Sequence, residues 1–201
     1  MISKDRKKKE ELLDWKQNVL LYIHDLIYLS AAVILIFLVL FRVIIVSGDS
    51  MYNTLVDGDY VLLIGNLLYR EPEYGDVVVI SKDSFDNGSP IIKRVIATEG
   101  QTVDIDFDKG VVYVDGQLLQ EDYTYTPTNV QEGMRFPLTV EEGCLFVMGD
   151  NRNRSKDSRN PEIGLVDKRE VLGKAFLLFL PAADTDMGKN SPDYHRIGVI
   201  R

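Results

Sequence analysis

The sequence predicts a mainly β domain preceded by one transmembrane α-helix, and three observations predict it. Apolar residues are concentrated in a single run near the amino terminus. After residue 46, short β-branched runs recur between turn residues. No long amphipathic helical pattern interrupts them.

The first element is the run at residues 26–41, LIYLSAAVILIFLVLF, which has no charge and only Tyr28 and Ser30 as polar members. After Arg42 it resumes as Val43-Ile44-Ile45-Val46, so residues 26–46 supply the roughly 20 residues that cross a bilayer as a helix. A buried core helix would keep a polar stripe, which is missing here. A cleaved signal peptide would have a shorter apolar region and a small-x-small site after it. The run therefore reads as an uncleaved signal anchor, with Arg42 near enough to its end to snorkel. Lys4, Arg6, Lys7, Lys8, Lys9 and Lys16 precede it, which predicts a cytoplasmic segment at 1–25 and an extracytoplasmic domain at 47–201.

Strands follow at Tyr60–Ile64, Val77–Ile80, Ile91–Ile96, Thr102–Phe107, Val111–Val114, Cys144–Met148 and Ala175–Leu180. Asp115-Gly116 marks a tight hairpin, because both central residues of that turn need positive φ. Residues 101–142 read as a small β-rich excursion. Residues 182–193 are polar and read as a loop, and Arg196–Ile200 as a last strand.

Composition narrows the function classes. The 201 residues carry 23 basic and 31 acidic side chains, a net −8. Residues 47–201 hold 16 basic and 26 acidic groups, a net −10, which opposes nucleic-acid binding and attraction to anionic lipid. The mean hydropathy of −0.06 is the average of an apolar anchor and a polar domain. One cysteine, Cys144, excludes an intramolecular disulfide and a multi-cysteine metal site, and two histidines make a histidine-rich zinc site unexpected. Neither metal nor cofactor is expected.

Three places carry chemistry. Ser47-Gly48-Asp49-Ser50 follows the anchor, and small residues before a serine allow close backbone approach; taken alone it also reads as a linker. Lys93 lies within an apolar strand, where burial would lower its pKa into the range of a general base; taken alone it also reads as an edge lysine facing water. Gly149–Arg159 interleaves acids and arginines at short range, which suits an internally paired loop. A serine and a buried lysine suffice for acyl transfer. His24 precedes the span and His195 lies in the polar tail, so no histidine fits a triad.

The residues resemble a known family, the bacterial type I signal peptidases of the short, single-span kind. The blocks are Ser50-Met51-x-x-Thr54-Leu55 with Gly58-Asp59; Gly75-Asp76-Val77-Val78-Val79; Lys93-Arg94-Val95-Ile96 with Gly100; and Gly149-Asp150-Asn151-Arg152 with Ser155-x-Asp157-Ser158-Arg159. Four blocks in order behind an anchor make a specific pattern.

The resemblance implies a signal-peptidase-like fold and a membrane-anchored serine endopeptidase acting through an acyl-enzyme. Its substrates would be secretory preproteins with small residues at −3 and −1. Membrane lipid and the export machinery would be further partners, and nucleic acid would not. Ser50 would be the nucleophile and Lys93 the general base, with Ser155 orienting the lysine. Ser50 and Gly48 would form the oxyanion hole. Arg94 with Asp150, and Asp157 with Arg159, would be structural ion pairs. Val46, Met51, Leu55, Ile91 and Ile92 would line the substrate pockets. Asn53 stands where the family usually has proline, and Gly48 where some members have a serine. Two other readings are a soluble Ser/Lys autoprotease of the repressor type, which the span and the acidic domain oppose, and an anchored non-catalytic relative, which the presence of Ser50, Lys93 and Ser155 opposes.

Overall fold

A computed structural model describes residues 2–185, 187–188 and 190–200. It divides into two units, residues 1–40 and 41–201.

The first unit is one helix, α1 (Ile2–Leu40). Its segment Asn18–Leu40 has 23 residues and a mean hydropathy of 2.4, and none of it is buried within the protein. At 1.5 Å per residue this covers a bilayer core of about 30 Å. The helix ends earlier than the hydropathy run suggests. Phe41–Ile45 leave it as strand β1, pairing in antiparallel register with Tyr60–Gly65, β2. The reason is local: Val43, Ile44 and Ile45 are β-branched and stiff at χ1, which favours a pleated surface over a helix. The helical length is made up upstream, by Val19–Ile23.

The second unit is built on two antiparallel sheets. The strands of the first are β1, β2, β3 (Val77–Ile80), β4 (Ile91–Thr98), β9 (Cys144–Met148), β10 (Val166–Asp167), β11 (Val171–Leu180) and β12 (Gly198–Val199). Their order is β1-β2-β11-β3-β4-β9-β10, with β12 on β11. The second sheet holds β5 (Thr102–Asp106), β6 (Val111–Val114), β7 (Gln117–Leu118) and β8 (Leu138–Thr139), in the order β7-β6-β5-β8. It lies within the excursion expected at 101–142. Asp115 and Gly116 join β6 to β7 with φ of 52° and 76°, the left-handed pair that the hairpin demands.

The period of two places the core. Along β3, Val77 and Val79 enter a cluster with Met51, Leu55, Leu63 and Leu178, while Val78 and Ile80 enter another with Val95, Val147 and Ile163. β3 is thus buried on both faces, which is why it reads as an unbroken apolar run rather than an alternation. A third cluster, around Ile96, Val103, Val112, Phe146 and Met148, joins the two sheets. The expected last strand is shorter than the sequence suggests: Tyr194–Arg196 form a 3₁₀ turn before β12.

Candidate active site

The turn that carries Ser50 is closed by its own backbone. Val46 N–H donates to the Asp59 carbonyl and Gly58 N–H to the Val46 carbonyl, both at 2.9 Å, so residues 47–58 form a pinched loop. Met51 and Leu55 are buried beneath it. Asp59, fully buried, accepts from Val56 N–H, Ala182 N–H and Arg196, and so ties the loop to the carboxyl-terminal tail.

Lys93 reaches this turn from β4. It is 3% exposed. Its amine donates to Ser50 Oγ and to the Ile92 carbonyl, each at 2.9 Å. Burial disfavours the ammonium and lowers its pKa from 10.5 to about 8; the carboxylates of Asp157, Glu132 and Asp150 oppose that fall. A serine hydroxyl is therefore held against an amine whose pKa is drawn down to about 8.

The loop after β9 fixes the other side of Ser50. Asn151 N–H donates to the Ser50 carbonyl at 3.0 Å and Asn151 Nδ2 to the Asp49 carbonyl at 3.1 Å. Gly149 is required by proximity: a Cβ there would stand 2.5 Å from Ser50 O and 2.3 Å from Ser155 Oγ. Two bidentate ion pairs, buried throughout, brace the loop. Arg94 Nε and Nη2 meet Asp150 at 2.8 and 2.6 Å, and Arg159 Nε and Nη2 meet Asp157 at 2.8 Å each. Thr54 Oγ1 donates to Asp150 at 2.6 Å, and Gly149 N–H to Asp157 at 3.0 Å. A groove of about 340 Å³ opens beside Ser50 and Lys93, lined by Ile44, Ile45, Val46, Ser47, Met51, Val79, Pro90, Ile91 and Ile92.

The family model for signal peptidase, peptidase S26, matches residues 19–180. The chain belongs to the signal peptidase family S26. A probable signal peptidase I-1 of Synechocystis sp. is 38% identical over 147 residues, covering 69% of this chain and 70% of that protein. The signal peptidase I of Bacillus licheniformis is 34% identical over 189 residues, covering 89% and 94%. A crystal structure of a signal peptidase I from Enterococcus faecalis V583 aligns at 32% identity over 52% of this chain and 96% of its own, with a TM-score of 0.43. The chain is accordingly a serine endopeptidase, a hydrolase that removes signal peptides from preproteins. Its apolar helix fits a single-pass membrane anchor.

The signal-peptidase resemblance pointed to residues that the structure distributes unevenly. Ser50, Lys93, Val46, Met51, Ile91 and Ile92 all line the groove. Leu55 does not; it is 0% exposed and packs in the core behind the turn. Gly48 is also placed differently from expectation. Its φ is +86° and its N–H donates to Asp57 Oδ1 at 2.8 Å, so that amide is already engaged. Ser155 is buried, but its hydroxyl donates to the Lys156 carbonyl at 3.4 Å, and the Lys93 amine donates to Ser50 Oγ and the Ile92 carbonyl instead.

Sequence reasoning missed the segment between β7 and β8, residues 119–137, which forms a strap over the arginines. Glu121 meets Arg152 at 2.5 and 2.9 Å, and the Tyr123 ring lies 4.0 Å from the Arg94 guanidinium. Tyr125 N–H donates to the Asp150 carbonyl at 3.0 Å. The strap has no periodicity or motif to reveal it.

Proposed function

We propose that Ser50 is the nucleophile and Lys93 the general base of signal-peptide removal, working through an acyl-enzyme. The observation that carries this is the 2.9 Å hydrogen bond between a buried lysine amine and a serine hydroxyl at the mouth of an apolar groove. Neutral Lys93 takes the Ser50 proton as Oγ attacks the carbonyl carbon of the last signal-peptide residue. The protonated amine then gives that proton to the leaving amine of the mature protein. Lys93, neutral again, deprotonates the water that hydrolyses the ester.

Charge on the substrate oxygen needs a donor. The Ser50 N–H has no acceptor among the described residues and supplies it. The preprotein lies extended in the groove, where shallow apolar walls select small side chains at −1 and −3. α1 anchors the enzyme with its amino terminus in the cytoplasm, following its basic flank, and the peptidase unit faces outside, where the export machinery delivers preproteins. The ectodomain's net −10 leaves attachment to lipid to the helix.

The test is cleavage of a labelled preprotein in detergent by the full chain, with the product's amino terminus sequenced. Ser50→Ala and Lys93→Ala are each expected to lower kcat by about three orders of magnitude or more. Substantial activity in either variant would refute the pair.

A further inference from the structure

The buried charges around Lys93 pair off, with one of each sign left over. Among the described residues, Asp150 is matched by Arg94, Glu121 by Arg152, Asp157 by Arg159 and Asp59 by Arg196. Lys93 makes no ion pair with the described residues; its amine rests on Ser50 Oγ and the Ile92 carbonyl. Glu132 is the converse, a carboxylate without a cation of its own. Its side chain is only 12% exposed and its Oε1 lies 4.0 Å from Arg159, which Asp157 already engages through two bonds. Its Oε2 is buried and accepts no hydrogen bond from the described residues. A carboxylate left so poorly matched is costly unless another charge offsets it.

The strap aims Glu132 at this spot. On one side of it the Val130 carbonyl accepts from Arg159 Nη1 at 3.0 Å; on the other, Met134 N–H donates to the Arg159 carbonyl at 3.0 Å. The backbone around Glu132 thus grips Arg159, whose partner Asp157 holds the Gly149 N–H in the loop that lies against Ser50. We propose that Glu132 is the counter-charge of Lys93, a positioning residue acting across Arg159, whose carboxylate balances the proton that Lys93 carries after deprotonating Ser50. This rests on the Ser50/Lys93 reading above.

The electrostatics agree with the charge count. The charged groups facing Lys93 are Asp150, Asp157 and Arg159 from the loop after β9 and Glu132 from the strap. Burial drives the lysine down, and among the carboxylates that oppose it Glu132 ranks after Asp157 and ahead of Asp150. Burial drives the Glu132 carboxyl up; Asp157 adds to that rise, and Arg159 and Asn160 counter it. Each group is thus displaced toward its neutral form, and the Glu132 charge offsets part of the fall at Lys93. In the first step the proton moves from Ser50 Oγ to Lys93 Nζ, and the site gains a cation next to a carboxylate already in place.

The test uses the full chain in detergent, reading kcat and KM against pH for wild type, Glu132→Gln and Glu132→Asp. Removing the carboxylate makes the Lys93 ammonium less favourable, so the neutral amine persists to lower pH. Glu132→Gln is expected to move the acid-side midpoint of kcat down by about half to one pH unit, with KM unchanged and the plateau lowered about threefold because the base is weaker. Glu132→Asp keeps the charge and is expected to keep the midpoint near that of wild type. A merely structural role would lower activity or melting temperature without moving the midpoint, and an unmoved midpoint in Glu132→Gln overturns the proposal. Should that variant melt below the assay temperature, Glu132→Met removes both the charge and the orphaned oxygen at similar volume and gives the same comparison. Lys93→Ala in the same assay separates the two ideas: if it stays active, the dyad falls and this inference with it. If it is inactive while the Glu132→Gln midpoint is unmoved, only the counter-charge falls.

Discussion

The groove beside Ser50 is walled by Ile44, Ile45, Val46, Val79, Ile91 and Ile92, and Lys93 is its one ionisable lining residue. The loop behind it carries Asp150, Arg152, Asp157 and Arg159, all buried. The first surrounding removes water from the lysine and favours the neutral amine; the second offers carboxylates that favour the ammonium. Desolvation wins over the carboxylates, and the balance sets Lys93 at about 8.

Breaking the ionic half should give the largest effect on stability. Asp157→Ala strands a fully buried Arg159 and leaves the Gly149 N–H without its acceptor. A loss of about 3–5 kcal/mol is expected, seen as a lower midpoint in chemical unfolding. The apolar half gives a smaller change of opposite sign. Between pH 8 and 10.5 the unfolded chain holds the Lys93 proton and the folded chain does not, so raising the pH through that window stabilises the fold. Below pH 8 the folded protein carries the whole cost of the buried lysine. Lys93→Met should therefore stabilise the fold by about 3 kcal/mol at pH 7, with the gain gone by pH 10.5, while abolishing cleavage. An unfolding series across that range checks the sign. The smallest effect belongs to the rim. Arg154 pairs with Asp49 at 2.9 Å but is 71% exposed, so Arg154→Ala should cost less than about 1 kcal/mol, and less still in high salt.

How much of this was legible in the sequence follows from the range over which each feature is determined. β3, β6 and β9 match the residues expected, because a run of β-branched residues bounded by turns is a local signal. The end of α1 is not legible, since hydropathy alone does not separate a membrane helix from an apolar strand at Val43–Ile45. Leu55 is apolar and five residues from Ser50, but only the pinch between Val46 and Asp59 sends it inward. Gly48 depends on an acceptor nine residues away, Asp57. The strap was invisible for the same reason on a larger scale. Glu121 and Arg152 are 31 positions apart in an irregular polar stretch, and nothing local records that they meet.

The order of the first sheet bears on how the enzyme comes into being. Ser50 sits between β1 and β2 and Lys93 on β4, yet β2 and β3 do not touch as neighbours; β11, residues 171–180, lies between them. The two halves of the site are held in register by a strand made about 80 residues after the lysine. A chain emerging from the ribosome has the proposed nucleophile and base, Ser50 and Lys93, long before it has the strand that joins their halves of the sheet. On the Ser50/Lys93 reading, proteolytic competence waits until β11 has been delivered. Closing so distant a pairing is slow relative to local folding, so on that reading the newborn chain passes through an interval before the pair is assembled.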